Sequence, residues 1–206
     1  MPVGQRLYPV SLVVAGRRCV VVGGGQVALR KVSSLVEAGA SVAVVAPEVC
    51  EEIVAMGVEV IRRRYEPADI ASAWLVIAAT DDPAVNRRVH ADGGAARVWV
   101  NSADDPEGCA FILPAVARQG PVTVAVSTGG HSPALAGWIR DRVAGALGPE
   151  VGVLAEMLSA AREEIQQSGR STEGLDWRKV LDSGMLELIR EGRVAQARER
   201  LEACLF

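Results

Sequence analysis

The sequence predicts an α/β fold, a Rossmann-type parallel sheet followed by a C-terminal helical segment. Three observations predict it. Short, uninterrupted apolar runs alternate with segments of helical periodicity through the first half of the chain, the pattern of a parallel sheet covered on both faces. The first central run, Cys19 to Val22, drives directly into Gly23-Gly24-Gly25-Gln26-Val27-Ala28, the G-x-G-x-x-G/A arrangement of a dinucleotide-binding turn. From Val151 onward most of the chain reads as helix.

Taken in order, Tyr8 to Leu12 reads as an edge segment and Cys19 to Val22 as the first central strand. Ala28, Val32, Leu35 and Val36 recur at helical spacing, which predicts a helix from about Gln26 to Ala38 with Gly39 as its C-terminal cap. Val42 to Ala46 is a second buried strand ended by Pro47, Glu51 to Met56 a short helix, and Val58 to Ile61 a third strand. Trp74 to Ala79 is a fourth strand, Ala84 to Ala91 a helix, and Arg97 to Val100 a fifth strand. A second region starts near Phe111. Val122 to Val126 is one more strand, and a helix runs from Ala134 to about Leu147. Gly148-Pro149 breaks the chain before helices over Val151–Gln167, Asp176–Glu191 and Arg193–Leu205. Trp74, Trp99 and Trp138 fall on apolar faces and read as core.

The chain has 206 residues, half of them apolar but only 4% aromatic, so Val, Ala, Leu and Ile must fill the interior. Its net charge of −3 supplies no global basic field for nucleic acid or a membrane surface. No run of about 18 uncharged apolar residues suggests a membrane span. Met1 to Tyr8 lacks a basic segment followed by an apolar one, so no export leader is expected. Cys19, Cys50, Cys109 and Cys204 are scattered without a CxxC pair, which fits a reducing cytoplasm.

Four strand-to-loop junctions and one later loop carry the candidate chemistry. In the first junction Gly23 permits the tight turn, Gly25 leaves room for a pyrophosphate, and Ala28 lets helix and strand pack closely. The amides of Gly25, Gln26 and Val27 then face the phosphates with the helix dipole behind them. The second junction lacks an acid at Val45 or Ala46, but Glu48 lies two residues beyond and can reach the ribose hydroxyls. No arginine stands in that loop to receive a 2′-phosphate, which favours NAD. The third junction follows Ala79. The cofactor residues are therefore Gly23, Gly24, Gly25, Gln26, Val27, Pro47, Glu48, Ala79 and Thr80.

After the fifth strand comes Asn101-Ser102-Ala103-Asp104-Asp105-Pro106. Adjacent carboxylates there fit either a solvated turn or an acid/base group facing the nicotinamide. Ser127-Thr128-Gly129-Gly130-His131-Ser132-Pro133 fits either ordinary capping by Ser132 or an anion-binding helix start. His90 and His131 are the only histidines and form no metal-ligand pattern.

Five ordered segments together closely resemble one family: Tyr8-Pro9-Val10, Val22 to Lys31, Ala78-Ala79-Thr80-Asp81-Asp82, Val100-Asn101 with Asp104 and Pro106, and Val126 to Pro133. The family is that of precorrin-2 dehydrogenase/sirohydrochlorin ferrochelatase, which is also the N-terminal module of bifunctional siroheme synthases. The resemblance implies a NAD-binding Rossmann domain over 1–113, a dimerisation region over 114–148 that makes a homodimer, and a helical domain over 149–206. It implies oxidation of precorrin-2 to sirohydrochlorin with NAD⁺ as hydride acceptor, and in many members insertion of Fe²⁺ to give siroheme. The family aspartate falls on Asp104, as catalytic group and as a transient guide for the metal. Asp105 replaces a small residue common in the family, which leaves open which of the two carboxylates works.

Tetrapyrrole contacts are expected from Asn101, Asp105, Ser127, Thr128, Gly129, Gly130, His131 and Ser132, with positive potential added by Arg118 and Arg140. His131 stands where the family often carries threonine. A methyltransferase domain, as in the fused enzymes, would need roughly another 250 residues, so synthesis of precorrin-2 itself is not expected. A dehydrogenase without chelatase activity and a NAD-binding regulatory module remain alternatives.

Overall fold

The computed structural model describes residues 6–103, 105 and 109–205. The chain forms two compact units, one running through Leu113 and including Gly129–His131, the other comprising Pro114–Thr128 and the chain from Ser132 onward.

The first unit is built on five parallel strands: β1 (Arg18–Val22), β2 (Ser41–Val45), β3 (Glu59–Ile61), β4 (Leu75–Ala78) and β5 (Trp99–Ser102). Their order is β3-β2-β1-β4-β5, the doubly wound arrangement in which the chain reverses direction of travel beside the first strand. Register runs Val22↔Val45 between β1 and β2 and Val22↔Ala78 between β1 and β4. The uninterrupted apolar strands of the sequence follow from burial on two faces. Cys19 and Val21 pack with Ala28, Val32 and Leu35 of α1 (Gln26–Glu37) and Ile53 of α2 (Glu51–Ala55). Val20 and Val22 point the other way, toward Tyr65, Ile70 and Val89 of α3 (Pro83–Ala96).

The second unit opens with an antiparallel hairpin, β6 (Ala115–Gln119) and β7 (Val122–Val126). Gly120 takes φ 55° at the first central turn position, where a primed turn requires a positive φ. Then follow α4 (Pro133–Ala146), α5 (Pro149–Gln167), α6 (Trp177–Leu181), α7 (Met185–Arg190) and α8 (Val194–Leu205). Leu154, Met157, Ala161 and Ile165 of α5 close a core with Val180, Met185, Leu188, Ile189, Ala197, Leu201 and Leu205. Buried Glu150 is paired to Arg190 at 2.7 Å. A hydrogen bond from its own backbone N–H, reinforced by Arg190, holds its carboxyl below the usual range.

Several sequence expectations are corrected. Tyr8 to Leu12 forms no strand and is exposed; Pro9 cannot donate to a ladder. The fifth strand starts at Trp99 rather than Arg97, because Arg97 takes φ 57° to cap α3. That helix runs on to Ala96 through Gly93, where a Cβ would collide with the Val100 side chain. The helix expected over Asp176–Glu191 is two helices, separated at Gly184 with φ 81°. The hairpin strand β6 was not read. Trp74, Trp99 and Trp138 are not core: they are 58%, 49% and 57% exposed. Trp74 and Trp99 stand where β4 and β5 begin, at the rim of the sheet. Arg17 covers the Trp74 ring at 4.0 Å, and Arg142 the Trp138 ring at 5.0 Å.

Candidate functional site: a glycine-lined cleft at the carboxyl ends of the strands

A cleft of about 840 Å³ opens at the carboxyl ends of β1, β2 and β4. That volume lies within the range of cofactor sites. Its lining includes Gly23, Gly24, Gly25, Gln26 and Val27 from the first junction, Pro47 and Glu48 from the second, and Ala79 and Thr80 from the third. The structure thus brings these nine side by side. Ala46, Val49, Cys50 and Asp81 also line it and were not assigned to the cofactor from sequence.

The three glycines are glycine for different reasons. Gly23 takes φ 126°, and a Cβ there would collide with the Ala79 carbonyl. A Cβ on Gly24 would collide with the Glu48 carbonyl and come 2.8 Å from Val49 Cα; the Gly24 carbonyl in turn accepts the Cys50 N–H at 2.9 Å. Both are demanded by the protein's own packing. Gly25 has φ −90°, open to any residue, and a Cβ there meets no protein atom within 4 Å. Its missing side chain leaves empty space on the cleft floor, the cradle that a pyrophosphate requires.

Gly25 is also the N-cap of α1, and no side chain caps that helix end. The first helical bond closes from Leu29 N–H to the Gly25 carbonyl at 2.9 Å. The preceding amides have no acceptor within the helix. No acid occupies the first turn, so the positive end of the dipole is uncompensated by side-chain charge. These residues fit a dinucleotide.

The third junction is held by a residue not singled out from sequence. Asn86, buried on α3, donates from Nδ2 to the Thr80 carbonyl at 3.0 Å. Its Oδ1 accepts from Thr80 Oγ1 at 2.8 Å and from the Thr80 N–H at 3.2 Å. The available signal was an amide side chain one turn inside a helix that starts directly after the loop it must satisfy.

Asp104, with Pro106, Glu107 and Gly108, lies outside the described residues. The ends of its loop are described. Ala103 N–H donates to the Ala78 carbonyl at 2.9 Å and Ala110 N–H to the Val100 carbonyl at 2.7 Å, so the chain leaves and returns at the carboxyl end of β5. Asn101, buried on β5, donates from Nδ2 to the Phe111 carbonyl at 2.9 Å and toward Cys109 Sγ at 3.4 Å. Cys109 Sγ sits 3.3 Å from the carbonyls of Ser102 and Asp105, and burial pushes its thiol pKa up. Asn101 and Cys109 together pin the base of the loop.

In the hydroxyl–glycine loop, Thr128 Oγ1 accepts the Ser132 N–H at 3.0 Å and donates to the Ser132 carbonyl at 3.0 Å. Ser132 Oγ caps α4 by accepting the Leu135 N–H at 3.1 Å. Gly129 and Gly130 take φ 61° and 84°, and Ser127 and His131 are exposed. Arg140 is paired to Asp141 at 2.7 Å. Among the described residues no group of three or more His, Cys, Asp or Glu could hold a metal, and no single helix is long and apolar enough to cross a membrane.

A family model described as "Putative NAD(P)-binding" matches residues 10–115, and one described as "Sirohaem biosynthesis protein central" matches residues 119–146. A siroheme synthase of Thioalkalivibrio sulfidiphilus is 41% identical over 204 residues, covering 96% of this chain and 42% of the relative. That of Nitrosococcus oceani is 39% identical over 207 residues, covering 98% and 44%. The chain therefore spans less than half the length of these curated relatives. Among solved structures, "SirC, precorrin-2 dehydrogenase" superposes with a TM-score of 0.70 at 28% identity, covering 96% of this chain and 98% of that one.

Proposed function

We propose that this chain, which belongs to the family described as putative NAD(P)-binding, oxidises precorrin-2 to sirohydrochlorin with NAD⁺ and then inserts Fe²⁺ to give siroheme. The observation that carries the first half is the cleft floor: Gly25 keeps space that no protein atom uses, in front of a helix end that no side chain caps. The full-length match to a precorrin-2 dehydrogenase supports the substrate.

When bound, NAD⁺ supplies the hydride acceptor. Gly25, Gln26 and Val27 hold its pyrophosphate by their amides, and Glu48 accepts from the ribose hydroxyls. Asn86 keeps the Ala79–Thr80 wall in place through its three hydrogen bonds to Thr80. Oxidation also releases a proton, and we assign its acceptance to Asp104, two positions past the last residue of β5 in the sequence. For chelation, Asp104 guides Fe²⁺, here a substrate, and takes one of the two pyrrole N–H protons that leave, the other passing to solvent. Contact with the carboxylate-rich macrocycle falls to Asn101, Asp105 and Ser127 through Ser132. Thr128 and Ser132 shape that loop with their hydroxyls, and its glycine amides and His131 are assigned to the substrate. Residues 114–148 are assigned to homodimer contact in the cytoplasm; the exposed Leu135 and Trp138 of α4 support that assignment.

The test is anaerobic. Purified protein, precorrin-2 and NAD⁺ are mixed and the absorption spectrum is followed before and after Fe²⁺ is added. Sirohydrochlorin formation is expected, then a metal-dependent change faster than the protein-free control. An unchanged first spectrum rejects the dehydrogenase; a second change no faster than the control rejects the chelatase.

A further inference from the structure

Read along the chain, the loop after β2 holds no arginine. In the fold, β3 lies against β2 with Val45↔Ile61 in register, and the Ala46 N–H donates to the Ile61 carbonyl at 3.2 Å. The residue immediately after Ile61 is Arg62. Ala46, Pro47 and Glu48 line the cleft, and neighbouring strands lie only about 4.8 Å apart. Arg62 thus emerges beside the stretch of β2 that meets the adenosine ribose in a doubly wound sheet, where an acid reads the 2′-hydroxyl and an arginine accommodates a 2′-phosphate.

The surrounding charges leave Arg62 available. Arg63 is held by Asp69, with Glu66 at 3.8 Å, and Arg18 takes Glu59 at 2.7 Å. Arg62 is exposed and, among the described residues, has neither an ion pair nor a side-chain hydrogen bond. Across the loop stand Glu48, Glu51 and Glu52, the last two at the start of α2. The edge therefore presents the Glu48 carboxylate on the cleft lining and the uncommitted Arg62 guanidinium beside it, whose planar fork matches a phosphate.

We infer that this cleft accepts NADP⁺ as well as NAD⁺, with Arg62 receiving the 2′-phosphate. The inference rests on the cleft being a dinucleotide site. It is tested by calorimetric titration of the full chain and its Arg62→Glu variant with NAD⁺ and with NADP⁺. Wild-type affinity for NADP⁺ should lie within about tenfold of that for NAD⁺. Arg62→Glu should weaken NADP⁺ by roughly tenfold to hundredfold and NAD⁺ by less than about threefold. If NAD⁺ binds but NADP⁺ does not, or if the substitution weakens both equally, the role of Arg62 is overturned and the dinucleotide reading stands. If neither nucleotide binds the wild type, both fall. Arg62 is exposed, and a thermal melt of the variant checks that it folds.

Discussion

Two glycine-rich loops in this molecule lead into helices, and they treat the helix end in opposite ways. At Gly23–Gly25 the helix end is uncapped and faces open space. At Ser127–Pro133, Thr128 folds its hydroxyl onto Ser132, and Ser132 caps the next helix. The first loop leaves its helix end without a side-chain cap. The second satisfies its own ends and holds two left-handed glycines between them. Similar composition thus leaves a helix end open in one place and, through its hydroxyls, builds local architecture in the other. The difference is visible only once each polar group's partner is known.

The largest expected effect separates both loops from the chemistry. If the loops hold ligands and Asp104 handles protons, Asp104→Ala should lower dehydrogenase turnover by at least roughly a hundredfold and abolish iron insertion, while calorimetry finds NAD⁺ affinity unchanged. Unaltered iron insertion in that variant would reject the dual role. Next, Gly25→Val puts side-chain volume into the cradle, where a Cβ meets no protein atom within 4 Å. NAD⁺ affinity should fall by roughly a hundredfold or more while the melting temperature stays within about 2 °C; retained affinity would show that the open floor is not the pyrophosphate site. Gly24→Ala should do the reverse in kind. Its Cβ runs into the backbone at Glu48 and Val49, so stability should drop by about 1–3 kcal/mol, read from urea unfolding of the ligand-free protein. Ser132→Ala should cost about 1 kcal/mol in the same assay; no change would mean that the second loop is not held by its cap.

The smallest effect concerns acid. Burial alone would raise the Asp69 carboxyl, but hydrogen bonds from Arg63 and the Glu66 N–H bring it below its usual value. Glu150 is lowered as well. Each contributes stability that is complete above the unfolded carboxylate range, near pH 4, and is lost as pH falls through the lowered folded value. Melting temperature should therefore decline below about pH 4, and Glu150→Gln should flatten the decline. An equally steep acid decline in that variant would remove Glu150 from the account.

Much of the nucleotide end was legible because it is local. The strand, the glycine turn and the amphipathic helix with Ala28, Val32 and Leu35 are contiguous, and their periods are set by backbone geometry. The rims were misread because apolar pattern does not say where an element starts. Trp74 and Trp99 precede the buried stretch by one residue and stay in solvent. Asn86 escaped notice because its role depends on Thr80 being folded back over the start of α3. The base of the Asp104 loop, pinned by Asn101 and Cys109, likewise depends on a return of the chain to Val100.

By itself the sequence determined the α/β class, the glycine turn that leads into the first helix and the resemblance to a sirohaem-pathway enzyme, since each is written in neighbouring residues whose spacing the backbone enforces. Only the tertiary structure decided which glycines the protein's own packing demands and which one it leaves facing open space, and that Arg62 comes to lie beside Ala46 across sixteen positions of chain. Those are questions of which atoms meet. Contact between distant segments is settled by strand pairing and burial, which one-dimensional order does not encode.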